Sequence, residues 1–409
     1  MSVQWTKDRT ADSAAKILSK LDTVLNSTAD GGVTLGWENE LEYGAHIVAD
    51  ACSMEISIHE HQRLAITREA IIDAKRSNSL TPKSVLTNIN RLQKEYLRKP
   101  LQPHVLLSSW SVSYPSQLPQ VRISGSAVTF SRSKPRHFQL PQRVQRGASL
   151  GNVHPMGYAV VRTSVRARDY RTAGDEALDR MDLLRGLWNF KLNYSTRRLA
   201  FGGGFQPLNN ILLGPIHTLH ETNGSAIDEV YWTEATYDKR QRPFALGAKL
   251  EAVKSFEQTA RKLLARSRVR VELLGIIVRY CRALDERDAS VVYVRLWSIL
   301  EDLTAIAPGD YETLVRRTRF LFSDEVYVKL VLQQLRKWRN HIVHDSRTPE
   351  WTDTFVNDLK HYVEVLLWFL IRHPRMFHSM DDFGSFLSLP RDHDLLRHRV
   401  ALHELAIEL

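Results

Sequence analysis

The second half of the chain is a succession of helix-forming segments, and this feature constrains the fold more than any other. From Phe244 onward, apolar residues recur at spacings of three and four, so each segment carries one apolar stripe. This periodicity predicts helices over 247–266, 268–287, 289–306, 311–322, 325–344 and 350–371. Because short turns join helices that each have one apolar stripe, we expect an antiparallel up-and-down bundle over 245–375.

The first half of the chain mixes helical and strand-like patterns. Residues 1–100 are predicted to be mainly helical, and residues 101–240 to form a small strand–helix–strand module. The clearest strand is Tyr158–Arg168, and the helix that follows it has Thr172 as its predicted N-cap. A tail with a short helix is expected over 376–409. The predicted fold class is therefore α+β.

Composition excludes several classes of protein. The chain has 409 residues, of which 43% are hydrophobic and 25% charged, as in ordinary globular proteins. It has no apolar run of about 18 residues and begins without the apolar core of a signal peptide, so we expect neither a membrane segment nor a signal peptide. Cys52 and Cys281 cannot build a disulfide framework, which favours a reducing cytosol, so we expect a cytoplasmic protein. The histidines show no zinc-binding spacing, so neither a metal nor a cofactor is predicted.

The positive charge is concentrated in the N-terminal part. Residues 1–250 hold 32 basic and 23 acidic side chains, and Tyr96–Arg168 contains eleven Lys and Arg but no Asp or Glu. Such a segment attracts polyanions, nucleic acid above all, although a solvated surface or an acidic protein partner would also explain it. The candidate nucleic-acid-binding residues are Arg132, Lys134, Arg136, Arg143, Arg146, Arg162, Arg166 and Arg168.

A polar motif lies at the end of the predicted helix over 325–344. Asn340 and His344 are four residues apart and share a helix face, while Arg339 lies about one hundred degrees round from Asn340. A guanidinium that stays charged holds the non-bridging oxygens of a phosphate. An imidazole that titrates near neutrality moves a proton. Together these residues indicate chemistry on a phosphodiester.

Neighbouring residues leave alternatives open. Glu301 lies in an apolar segment and needs a partner, for which Arg339 is a candidate, unless Glu301 points to solvent. His341 and Asp345 support the motif or form a solvated stripe. His344 could also be an ordinary histidine favoured near a helix C-terminus. Three further Arg/His pairs fit the spacing but lie in the tail: Arg372–His378, Arg391–His398 and Arg397–His403.

The segment RNHIVH, from Arg339 to His344, follows the segment RLWSILEDL at Arg295–Leu303 and precedes a long closing helix. Over about 265–375 this arrangement resembles the Apea-like branch of the HEPN family. The resemblance implies a HEPN-type bundle that acts as a metal-independent RNA endonuclease. His344 would act on the ribose 2′-hydroxyl, Arg339 would neutralise developing charge and Asn340 would orient the substrate, leaving a 2′,3′-cyclic phosphate.

The same resemblance implies partners and a setting. Two motifs are expected to face each other in a homodimer formed through the C-terminal bundle. The substrate would be RNA, tRNA included, in anti-phage defence or a toxin-like system. Residues 1–240 would hold RNA or sense a trigger, such as a phage-derived or acidic protein. The alternative is a non-catalytic HEPN-type dimerising adaptor, or a sensor that binds nucleic acid or nucleotides.

Overall fold

A computed structural model of the chain describes two compact units. One consists of Met1–His104 with Arg166–Asp175, and the other of Val105–Val165 with Glu176–Leu409. The division of the chain into residues 1–100, 101–240, 245–375 and 376–409, which was drawn from the sequence, stays a prediction. The described residues are 3–6, 8–27, 33–35, 38–114, 118, 120–147, 153–198, 204–307, 309–345 and 352–408.

The first unit is built mainly from helices, as the sequence predicts. Its elements are α1 (Asp8–Val24), β1 (Leu25–Ser27), β2 (Val33–Leu35), α2 (Glu38–Asp50), α3 (Glu60–Arg76) and α4 (Pro82–Arg98). Apolar residues recur at helical spacing through 38–75, but the structure divides this segment into two helices, α2 and α3. Each helix turns its apolar stripe inward, so that Leu21, Val48, Ile71 and Ile89 share one core.

A six-stranded sheet follows in the order β4-β5-β6-β3-β7-β8. The pairs β4–β5, β5–β6 and β7–β8 are antiparallel. In β6, residues 158–161 are all buried, and burial alternates only from Arg162 onward, where Arg162 is half-buried and Ser164 and Arg166 are exposed. The bounds are β3 (Gln102–Ser113), β4 (Val121–Ile123), β5 (Ser126–Ser131), β6 (Tyr158–Ala167), β7 (Ile216–Glu221) and β8 (Ala226–Thr233). The segment between β5 and β6 contains a short helix, α5 (Gln142–Gly147).

Helix α6 (Tyr170–Asn193) begins earlier than its sequence suggests. Thr172 is not the N-cap, because it lies inside the helix and donates its backbone N–H to the Asp169 carboxylate at 2.8 Å. Further along, Trp188 packs against the sheet, with ring centroids 5.5 Å from Trp110. Phe190 contacts the bundle, stacked on Phe256 at 5.9 Å. The helix therefore joins sheet and bundle within the second unit.

The C-terminal helices confirm the predicted segments. They are α7 (Leu250–Arg266), α8 (Arg270–Ala283), α9 (Ala289–Thr304), α10 (Tyr311–Arg319), α11 (Glu325–Asp345), α12 (Thr352–Arg372), α13 (Met380–Phe386) and α14 (His393–Glu408). Helix α9 packs against α8 and against each of α10 to α13, so it is the centre of the bundle. The fold class is α+β, as predicted. None of the helices in the described ranges is both long enough and apolar enough for a membrane crossing.

A buried charge network holds the second half of α6 in place. Arg185 is fully buried and donates hydrogen bonds to Asp182, to both oxygens of Asp285 and to the Ile211 carbonyl. Asp285, which follows α8, also accepts a hydrogen bond from Asn209 at 2.7 Å. The charged groups of this network thus find hydrogen-bonding partners within the protein, as a buried ion pair requires. The network ties α6 to α8 and to the loop before β7.

Candidate functional site

The motif helix α11 is held in place one turn before the motif. Leu332 and Leu335 are fully buried. The Tyr293 hydroxyl of α9 donates a hydrogen bond to the Leu335 carbonyl at 2.6 Å, and Trp338 stacks on Phe355 of α12 at 5.3 Å. These contacts orient α11 against α9 and α12. The predicted apolar stripe is therefore confirmed at Leu332 and Leu335.

Arg339 reaches a cleft at the surface of the bundle. The cleft has a volume of about 980 Å³, and Arg339 and Tyr311 both line it. The Arg339 guanidinium lies 5.6 Å from the centroid of the Tyr311 ring, and Arg336 lies 4.7 Å from the same ring. Within the described part of the chain, Arg339 forms no ion pair with a carboxylate. Cation–π contact thus holds the side chain while its N–H groups stay available to an anion.

Glu301 lies in the same cleft, but its partner is not Arg339. The Trp297 indole N–H donates a hydrogen bond to Glu301 at 2.9 Å. Trp297 is four residues earlier on α9, so the two side chains lie on one helix face. This contact satisfies the half-buried carboxylate that the sequence left without an assigned partner.

The other motif residues are placed to different extents. Asn340 is half-buried, and His341 is exposed with its ring 5.6 Å from that of Trp338. The backbone of His344 and Asp345 completes α11, but both side chains lie outside the described residues. The structure therefore locates Arg339 in a cleft, while the imidazole expected to act with it stays a prediction.

The cleft contains residues that sequence patterns did not single out. Arg279 of α8 forms an ion pair with Asp302 at 2.6 Å, and both line the cleft. Glu272 and Asp381 add two further carboxylates. These residues come from three helices, α8, α9 and α13, so no local spacing could have identified the set.

A second, basic pocket adjoins the first at Tyr311. It has a volume of about 380 Å³, and its lining includes Arg316, Lys329 and Arg336. Asp310 caps α10 by accepting the Thr313 backbone N–H at 3.2 Å, which fixes the neighbouring Tyr311. The ring of Tyr311 thus separates a basic pocket from the cleft of Arg339.

The basic residues predicted to bind nucleic acid are distributed over several elements. Arg132 and Lys134 line a separate cleft of about 930 Å³. Arg166 and Arg168 donate hydrogen bonds to the main-chain carbonyls of Leu101 and Leu97, at 3.2 and 3.3 Å, so part of their hydrogen-bonding capacity is used within the fold. Three of the others have exposed side chains: Arg136, Arg143 and Arg146.

One buried cluster has the residue types of an acyl-transfer site. Ser108 Oγ is 2.7 Å from His217 Nδ1, and His217 Nε2 is 3.9 Å from Glu234. Ser108 and His217 are 0% and 1% exposed, so a substrate has no access to them. Arg282 binds Glu234 at 2.6 Å as part of the same core. We interpret the cluster as structural.

Comparison with known proteins adds no assignment: no protein-family model, curated protein or solved structure matches this chain.

Proposed function

We propose that the bundle is a HEPN-type, metal-independent endoribonuclease with Arg339, Asn340 and His344 as its motif. The observation that carries this proposal is the position of Arg339. Its guanidinium is held beside Tyr311 in an open cleft and pairs with no carboxylate among the described residues. A buried structural arginine is normally paired, whereas an arginine that binds phosphate needs free donors.

The proposed chemistry follows from the three side-chain types. His344 accepts the proton of a ribose 2′-hydroxyl, whose oxygen then forms a bond to the adjacent phosphorus. The bond from phosphorus to the 5′-oxygen breaks, that oxygen takes up a proton from solvent, and His344 releases the proton that it accepted. Arg339 stabilises the negative charge on the non-bridging oxygens, and Asn340 orients them by hydrogen bonding. The products are a 2′,3′-cyclic phosphate and a 5′-hydroxyl.

The basic pocket beside Tyr311 supports an extended anionic substrate. Arg316, Lys329 and Arg336 line it, and Arg336 shares the Tyr311 ring with Arg339. A strand of RNA carries one negative charge per phosphate, so neighbouring phosphates need neighbouring cations. We assign this pocket to the phosphates next to the scissile one.

An exposed apolar face on α11 supports a homodimer. Val326, Tyr327 and Leu330 are 70%, 63% and 60% exposed. Position 344 lies 18 residues after Val326, which is five full helical turns, so both Cα atoms share a face. A second copy that covered this face along the whole helix would therefore also reach position 344, about 27 Å further along the axis. We propose that this contact brings the two motifs together, as the HEPN resemblance implies.

A defence or toxin role in a bacterial cell, with residues 1–240 sensing a phage-derived trigger or holding RNA, rests on family analogy. It implies that an active enzyme harms its host. The test of the chemistry does not depend on this setting.

Cleavage in the presence of EDTA tests the proposal. Purified wild type is incubated with total RNA and with tRNA beside His344→Ala, and the fragment ends are analysed. We expect cutting by the wild type, resistant to the chelator, with 2′,3′-cyclic phosphate ends. His344→Ala should reduce the rate by at least about 10²-fold, the usual contribution of general acid–base catalysis.

Expression provides the second measurement, because an untriggered enzyme could be silent in the tube. Cells that express wild type should grow more slowly than cells that express equal amounts of His344→Ala. Equal growth combined with no cutting by either protein would refute the nuclease. Equal cutting by both proteins would refute the role of His344.

One observation favours the alternative of a non-catalytic sensor or adaptor. The cleft of Arg339 also contains the carboxylates of Glu272, Glu301 and Asp381, which oppose the approach of a phosphate, whereas that of Asp302 is paired with Arg279. Under this alternative the basic N-terminal part binds nucleic acid without cutting.

The alternative predicts a salt-dependent interaction. Replacing Arg162, Arg166 and Arg168 with glutamine should lower the slope of log K against log salt by about one for each phosphate that the variant no longer binds. Fluorescence anisotropy with labelled RNA measures that slope. An unchanged slope would exclude these three residues as phosphate ligands. An affinity that does not change with salt concentration would exclude an electrostatic interface.

A further inference from the structure

Three metal-binding side-chain types meet in the first unit. His59 precedes α3, His61 is the second residue of α3, and Asp175 lies in the first turns of α6. One ligand atom from each lies within 4.8 Å of those of the other two, and all three residues are half-buried. The two imidazole ring centroids are 5.7 Å apart. Two nitrogen donors and one oxygen donor therefore converge on one point.

The hydrogen bonds around His61 define which ring nitrogen faces the cluster. Its Nδ1 is 3.2 Å from Oδ2 of Asp175. On the opposite side of the ring, Nε2 is 3.2 Å from the Thr172 hydroxyl and 3.7 Å from Asp169. The Thr172 hydroxyl is in turn 2.7 Å from Asp169. Each nitrogen of His61 thus has its own set of oxygen partners.

Counting protons assigns the direction of these bonds. Asp169 accepts hydrogen bonds from the Tyr96 hydroxyl at 2.8 Å, from the Thr172 backbone N–H at 2.8 Å and from the Thr172 hydroxyl. That is the pattern of an ionised carboxylate, which has no proton to give. Since Thr172 has one hydroxyl proton and donates it to Asp169, its oxygen must accept from His61 Nε2–H.

A neutral His61 ring then presents a lone pair at Nδ1. That lone pair faces a carboxylate oxygen of Asp175 at hydrogen-bond distance, and two acceptors at such a distance repel each other. Either a proton or a metal cation between them removes the repulsion. A proton would make His61 an imidazolium between two carboxylates. A proton shared by His61 and Asp175 would not explain why a third ligand-type side chain, His59, lies beside them.

We propose that His59, His61 and Asp175 bind a divalent first-row transition-metal ion, with Zn²⁺ as the ion that the donor set fits best. Imidazole nitrogen and carboxylate oxygen are ordinary Zn²⁺ ligands, and three protein ligands leave a coordination position open to water or substrate. His61 binds through Nδ1, while Thr172 and Asp169 fix its tautomer through Nε2–H. Such a hydroxyl or carboxylate behind a ligating histidine is the usual supporting arrangement.

This site shares no residue with the Arg339 motif. Metal binding and chelator-resistant RNA cleavage are therefore independent, and either can fail without the other. The open coordination position points to a hydrolytic or ligand-binding role for the ion in the first unit, rather than a fully enclosed structural role.

Metal titration of the full-length protein tests the proposal. Protein stripped with a chelator and dialysed is titrated with ZnCl₂ by calorimetry and with CoCl₂ by visible absorption. We expect one equivalent to bind and a Co²⁺ d–d band to develop. His59→Ala and His61→Ala should each weaken binding at least about 100-fold, and Asp169→Asn about 10- to 100-fold, since supporting residues contribute that much.

His46→Ala is the matched control, because His46 is an exposed histidine of α2 in the same unit. Its affinity should equal that of the wild type. If circular dichroism shows that His61→Ala is unfolded, Asp175→Asn replaces it, since that side chain is 35% exposed and nearly isosteric. Absence of a Co²⁺ band and of stoichiometric heat in the wild type would refute the site. So would binding that the His59 and Asp175 variants leave unchanged.

Discussion

Replacing Arg339 with alanine is expected to reduce RNA cleavage by about 10²- to 10³-fold, the usual cost of removing one donor to a developing oxyanion. Arg339 lines the cleft and has only a cation–π contact among the described residues. The variant should therefore fold as the wild type does. Single-turnover rates on a labelled RNA, with circular dichroism and thermal unfolding alongside, measure both effects.

Two further variants make the result specific. Arg339→Lys keeps the charge but not the paired donors, so its rate should fall between those of wild type and Arg339→Ala. Arg397→Ala removes a side chain of α14 that is 82% exposed and should cut normally. If Arg339→Ala retains a rate within about threefold of the wild type, Arg339 does not bind the reacting phosphate.

Replacing Arg185 with alanine is expected to lower the free energy of unfolding by about 3–5 kcal/mol, the usual cost of removing one partner from a buried ion pair. The change leaves Asp285 buried with a hydrogen bond from the Asn209 amide and the charge of Arg282, but without its ion-pair partner. Burial already raises the pKa of Asp285 despite Arg185. Urea unfolding followed by tryptophan fluorescence reports this change, because Trp188 lies one turn further along α6.

The loss should depend on pH with a definite sign. Without Arg185 the pKa of Asp285 rises further above its value in the unfolded chain, so the folded state holds a proton that the unfolded state releases. The free energy of unfolding then falls as the pH rises from the pKa of Asp285 in the unfolded chain to its pKa in the folded variant. The loss of stability relative to the wild type is therefore larger at pH 7 than at pH 5. Arg266→Ala, at an exposed position of α7, should change stability by less than about 0.5 kcal/mol.

Combining Asp285→Asn with Arg185→Ala measures the interaction energy between these two side chains. Since the second change removes the unpaired charge, the double variant should lose less than the sum of the single variants. A loss below about 1 kcal/mol for Arg185→Ala would show that the network contributes little. Additive losses would show that the two residues act independently.

The helices could be predicted because periodicity is a local property. Segments such as 289–306 and 325–344 repeat apolar residues every three or four positions, and α9 and α11 follow them closely. Helix ends are harder to predict where a side chain decides the cap. Thr172 and Asp169 both suit an N-cap, and only the three-dimensional structure shows that Asp169 accepts the hydrogen bond.

The candidate sites depend on contacts that no spacing encodes. The sequence indicated Arg339, but the choice of Trp297 rather than Arg339 as partner of Glu301 follows from how α9 packs. His59 and His61 lie two residues apart, and Asp175 follows more than one hundred residues later. A metal site of this kind is visible only when α3 and α6 meet.

The sequence by itself determined which segments are helices or strands, the α+β class, the concentration of positive charge and the Arg-Asn-x-x-x-His motif. Each of these depends on residues close together in the chain. The tertiary structure decided that Arg339 lies beside Tyr311, that Arg185 pairs with Asp285, and that His61 faces Asp175. These pairs form because the packing of the core brings together side chains from elements that are distant in the sequence.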